Sequence, residues 1–251
     1  MSELDGLLAG ITHLSVNGRG PADAYIFDPH RLAVPCWARA VEERKAPALL
    51  LTLDRHFDLV PAKNAPKRGL SVLELDEHAR RQLDPRNYDH ILGSIEGGLI
   101  TDVIAVARAK PVGCFEGATY VSADRQAHQL IRVPSLDRLT DDFATPRATP
   151  ESKQALELIN TASHIILDIE LDCFTSPSDV DPLTPLPWPE SVIREFLCLR
   201  DEAFWSAVLP KCSALTLARE PLHCGGLIST NHLFEVAAKL IFVDLLKADL
   251  P

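Results

Sequence analysis

Hydrophobic residues in this chain come in short runs, the clearest of which end in acids, separated by longer stretches in which apolar and polar positions alternate with helical spacing. The clearest run is Ala48-Leu49-Leu50-Leu51-Thr52-Leu53, bounded by Pro47 and Pro61. A run so short and so rich in branched residues predicts a buried strand of an α/β sheet. It ends in Asp54-Arg55-His56-Phe57-Asp58. Strand alternation would point Asp54, His56 and Asp58 to one side.

The same reading predicts the other elements. Ala24 to Asp28 forms a strand ending at Pro29, and 32–45 is helical. Helices are expected over 73–83 and 90–97, and strands over 102–107 and 129–133. The polar, proline-punctuated stretch 137–150 reads as a loop and as the weakest-packed part of the chain. A helix over 151–161 leads into a second apolar run, His164 to Asp172, which again ends in acids. Proline then recurs from Pro177 to Pro189 and imposes an extended loop. Helices near 190–199 and 202–209, a strand over 213–218 and a closing helix over 231–246 complete the order.

Strands alternating with helices imply a mostly parallel central sheet covered on both faces, a three-layer α/β sandwich. The expectation is one domain spanning residues 1–251. Ligands of such folds bind outside the carboxyl ends of the strands. Three groups of metal-competent side chains fall at those ends: Asp28-Pro29-His30, Asp54-x-His56-x-Asp58 and Asp168-x-Glu170-x-Asp172. Ionised carboxylates brought so close raise one another's pKa unless cations compensate them. Two ions would do this better than one, and a mixed set of oxygen and imidazole donors suits manganese or iron. Each group alone could be no more than a charged strand end. Their conjunction is what points to metal.

Composition narrows the partners. The formal charge of −10 leaves no basic stripe to neutralise phosphates, which argues against nucleic acid and agrees with a cationic substrate. No run is long enough to span a membrane, and the amino terminus lacks the basic and apolar parts of a signal peptide. The expectation is a cytoplasmic protein. Six cysteines without C-x-x-C or zinc-like spacing read as reduced, mostly buried thiols.

At this point the chain resembles the arginase/deacetylase superfamily of metallohydrolases. There a histidine in a strand-end loop precedes D-x-H-x-D, and a D-x-D strand follows much later; His30, Asp54 to Asp58 and Asp168 to Asp172 keep that order. Asp28-Pro29-His30 with Trp37, Leu53 to Leu59, Leu167 to Phe174 and Cys224-Gly225-Gly226 are closest to an arginase-like branch that includes peptide arginases. Those enzymes convert arginine side chains of ribosomally made precursor peptides into ornithine. The resemblance covers about residues 22 to 228.

The resemblance implies a pair of Mn2+ ions. His30 and Asp58 would bind one, His56 and Glu170 the other, and Asp54 and Asp168 would bridge them. Position 170 departs from the family by having glutamate where aspartate is usual, which leaves the role open between Glu170 and Asp172. Glu220 would grip a guanidinium group, and Asp58 would orient the nucleophile. No counterpart of the arginase proton-shuttle histidine stands out, and His78, His90 and His223 are candidates by residue type. The implied reaction is hydrolysis of arginine, within a peptide or as a small guanidine compound, to ornithine and urea. Two alternatives stay open: hydrolysis of another C–N bond, as in deacetylases, and a binding protein that keeps the fold without turnover. Oligomeric state is not readable.

Overall fold

The computed structural model describes residues 8–144, 149–178 and 184–248. In chain order the elements are β1 (Ile11–Ser15), β2 (Asp23–Phe27), α1 (Ala33–Arg44), β3 (Ala48–Leu53), α2 (Val72–Arg81), α3 (His90–Glu96), β4 (Ile100–Val106), β5 (Thr119–Val121) and β6 (Ala127–Val133). Then come α4 (Asp137–Ala144), α5 (Pro150–Thr161), β7 (Ile165–Glu170), β8 (Thr175–Ser176), β9 (Leu186–Pro187), α6 (Glu190–Phe196), α7 (Glu202–Val208), β10 (Cys212–Ala218) and α8 (Leu227–Ala238).

Eight strands make one sheet in the order β1-β2-β10-β7-β3-β4-β6-β5, and β8 pairs with β9 separately. The six inner strands are mutually parallel, and only β1 and β5 at the edges run antiparallel to their neighbours. Alternation along each strand divides the core. Leu49, Leu51 and Leu53 of β3 pack with Ile165, Leu167 and Ile169 of β7 on one face, whereas Ala48 and Leu50 join Trp37, Leu75 and Ile91 on the other. Helices α1, α2 and α3 cover the Trp37 face, and α5, α7 and α8 cover the opposite one, which gives the three layers expected. Burying these side chains is the main stabilising contribution to the fold. No helix among the described residues is long and apolar enough to cross a membrane.

Local signals fix several boundaries. Ser71 and Glu74 form a reciprocal capping box that starts α2, and the Thr149 side chain caps α5 ahead of Pro150. Cys36, Cys173, Cys212 and Cys224 are buried, in keeping with their scattered spacing.

The structure corrects four expectations. Residues 137–144 are helical and not loop, because Leu136 and Leu139 are fully buried and anchor the first turn; 145–148 lie outside the described residues. The acid-ended run stops being a strand at Glu170 and turns through a 3-10 helix, Leu171–Phe174. The closing helix starts at Leu227, after Gly226 at φ 91°, and ends in a π-helical turn over Lys239–Leu245. The edge strands β1 and β5 were not foreseen, since both are short and partly or wholly exposed. The proline-rich loop falls partly on 179–183, outside the described residues.

Candidate metal centre

Because β2, β10, β7 and β3 are consecutive in the sheet, their carboxyl ends form a row. At or just after these ends stand His30, Glu220, Glu170 with Asp172, and the Asp54–Asp58 loop. His30 begins a 3-10 turn after Pro29 and is completely buried.

His30, Asp54, Asp58 and Glu170 each offer a ligand atom within 4.8 Å of the others, and all four are buried. His30 Nδ1 is 3.1 Å from Glu170 Oε2, 3.7 Å from Asp58 Oδ2 and 3.8 Å from Asp54 Oδ2. A second group, His56, Asp172 and His223, meets the same criterion, with His56 Nδ1 3.3 Å from Asp172 Oδ2. A third overlaps the first and adds His90 to His30 and Asp58, but the Asn87 carbonyl already holds His90 Nδ1 at 2.6 Å.

Strand alternation is not what arranges the Asp54 loop. The strand ends at Leu53, the His56 N–H donates to Asp54 Oδ1 at 2.8 Å, and His56 bridges to Ala109. Asp54 and Asp58 therefore join the first group and His56 the second.

Asp168, expected to bridge two ions, lies outside all three groups. It is one layer deeper in the sheet, in register with Thr52 on β3 and Thr216 on β10. Both threonine hydroxyls donate to its carboxylate, at 2.8 and 2.6 Å, and its Oδ2 is 2.8 Å from His30 Nε2. Trp37 Nε1 donates to Thr216 at 3.1 Å and closes the network. Asp168 thus orients the imidazole from behind, while Glu170 takes the place beside Asp54 and Asp58.

Glu220 follows β10 in the left-handed region at φ 44°, uncommon for a residue with a side chain. Its Oε1 accepts from the His30 N–H and from Asn87 Nδ2, each at 2.5 Å, and Oε2 is 3.7 Å from His223 Nε2. Of the shuttle candidates, His223 is at the centre, partly exposed and 4.0 Å from Asp172 Oδ2. His90 is buried against His30, with ring centroids 4.3 Å apart, and His78 is held on α2 by the Asn64 carbonyl.

Electrostatics make the centre costly without a cation. Burial, then the charges of Glu170 and Asp172, push the Asp54 carboxyl well up; burial and Asp54 do the same to Asp58, and burial and Asp172 to Glu170. Burial alone would lower His30, but Asp168 together with Asp54 and Asp58 outweighs it and raises the imidazole to about 10. Burial and then the His30 charge lower His90 to about 3. Among the described residues, Asp54 Oδ2, Asp58 Oδ1 and Asp172 Oδ2 are buried without a hydrogen-bond partner. Buried anionic oxygens facing one another without donors, with imidazoles beside them, fit divalent cations.

Sequence reasoning missed Thr52, Thr216 and Asn87. The two threonines had a signal, as lone polar residues inside apolar strands; Asn87, in a loop after α2, had none. A cleft of about 800 Å3 beside α6 and α7, lined by Arg194, Cys198 and Asp201 among others, shares none of these residues.

Among solved structures the chain is similar to a hypothetical agmatinase from Burkholderia thailandensis, with TM-score 0.49 and 12% identity over 86% of this chain and 56% of that one. It is similar to proclavaminate amidino hydrolase from Streptomyces clavuligerus, with TM-score 0.49 and 15% identity over 86% and 62%. Arginase from Bacillus subtilis gives TM-score 0.47 and 16% identity over 90% and 72%. The chain spans less than two thirds of the length of the first two. No protein-family model matches the sequence, and no curated protein does. By the names they carry, these solved structures are an agmatinase, an amidino hydrolase and an arginase.

Proposed function

We propose that the protein is a two-metal hydrolase that cleaves the guanidinium group of an arginine side chain, giving ornithine and urea. The observation that supports this most is the pair of adjoining ligand groups containing three buried, unpartnered carboxylate oxygens. His30, Asp58 and Glu170 would hold one ion and His56 and Asp172 the other, with Asp54 between them. Manganese suits this oxygen-rich set with two imidazoles. A bound metal pair supplies hydroxide at neutral pH and stabilises developing negative charge.

The chain's own residues do the rest. Asp168 fixes the His30 ring through Nε2, so that Nδ1 faces the carboxylates. Asp58 Oδ1 has no donor among the described residues and accepts a hydrogen bond from the attacking water. Glu220, anchored through Oε1, keeps Oε2 for a guanidinium N–H. As the bond from the guanidinium carbon to Nε breaks, the leaving amine needs a proton, and His223, 3.7 Å from Glu220 Oε2, would deliver it.

The test is mass spectrometry of arginine-containing peptides and small guanidines incubated with manganese-loaded protein. Loss of CH2N2 from a peptide, with matching urea, is the expected result; no urea from any of them would sink the reading.

A further inference from the structure

The four most exposed large apolar side chains of the described residues lie in segments that follow the carboxyl ends of the parallel strands β4 and β10. Val112 is 97% exposed, Leu222 92% and Ile228 88%, followed by Leu227 at 66%. Val112 lies in the loop after β4, and the other three lie in the segment after β10. Both segments border the metal centre. Ala109 pairs with His56, and Leu222 is joined directly to His223. Leu186, 52% exposed, is next in the chain to Pro185, whose carbonyl a side chain at Gly225 would meet at 3.0 Å.

We propose that this apolar rim docks a peptide in which apolar residues flank the arginine that enters the centre. Charge complementarity selects the occupant. Glu220, outside the proposed ligand set and anchored through Oε1, keeps Oε2 for a cationic side chain. The rim offers apolar contact to that residue's neighbours. A second copy of the chain would instead bring a net charge of −10 against −10. The inference rests on the guanidinium reading and adds the sequence context of the substrate.

The experiment compares the manganese-loaded full chain on two peptides, one with arginine between leucines and one with arginine between serines. Turnover is followed by urea release, and binding of fluorescein-labelled peptides by anisotropy. Burying one or two leucines predicts a preference of roughly tenfold or more in kcat/KM for the leucine peptide. In a Leu222→Ser/Ile228→Ser variant that ratio falls to near one. Equal turnover of both peptides overturns the inference and leaves the guanidinium reading standing. Leucine-peptide binding that depends on Leu222 and Ile228, without urea from any substrate, overturns the guanidinium reading and keeps the docking surface. If sedimentation shows a dimer that the variant dissociates, with no change in peptide preference, the rim is an interface between copies and the inference fails.

Discussion

Asp168 Oδ2 lies 2.8 Å from His30 Nε2, and this one contact decides which nitrogen of His30 faces the acidic centre. With Nε2–H donated to Asp168, Nδ1 is turned toward Glu170, Asp54 and Asp58. Asp168 can hold this geometry because the Thr52 and Thr216 hydroxyls fix its carboxylate from both sides.

Asp168→Asn is therefore expected to weaken metal binding without removing a ligand. Loss of such a partner typically costs about 10- to 100-fold in affinity. Titration calorimetry with Mn2+ measures it, and circular dichroism checks that the variant is folded. Unchanged affinity would mean that Asp168 does not position His30.

Divalent metal should stabilise the protein strongly. At a hundred times Kd, binding contributes about 2.7 kcal/mol. For a chain of this size that corresponds to roughly 5–10 °C in Tm. Melting curves with Mn2+ and with a chelator test this, and elemental analysis should find two ions per chain.

Stability of the metal-free protein should fall as pH rises above 6.5. His30 is raised from 6.5 to about 10, so its stabilising charge is complete below 6.5 and lost toward 10. Asp54, Asp58 and Glu170 are raised too, so the folded state keeps protons that the unfolded chain has released, which acts in the same direction. Below 6.5 the lowered His90 acts oppositely, which confines the prediction to the alkaline side. Urea midpoints in chelator should decrease across this window, and Mn2+ should reverse the trend by displacing the protons.

Glu220→Gln keeps an acceptor for the His30 N–H but removes the charge. A hydrogen bond to a charged group contributes about 1.5–3 kcal/mol, so kcat/KM should drop roughly 10- to 100-fold. Metal stoichiometry should stay at the wild-type value. A variant as active as wild type would remove Glu220 from substrate binding.

Much of this was legible in the sequence because strand-end acids have a simple signature. Ala48 to Leu53 is a strand with the bounds expected, and His30, Asp54, Asp58 and Glu170 converge. The supporting position of Asp168 was not legible, since a D-x-E-x-D pattern does not reveal where the strand gives way to the 3-10 turn at Leu171. A single step of two residues along the strand separates Asp168, behind His30, from Glu170, in front of it. Helix α4 was hidden because two buried leucines outweigh a polar, proline-rich composition.

The centre takes its side chains from strand ends that are neighbours in the sheet but far apart in the chain, from His30 to Glu220. No short stretch of the chain contains a complete set. Metal capture at this centre would therefore be an event of late folding, available only after the long loops have closed. Nascent or partly unfolded chains would be poor competitors for the ion, and metal content would then report on the integrity of the whole sheet.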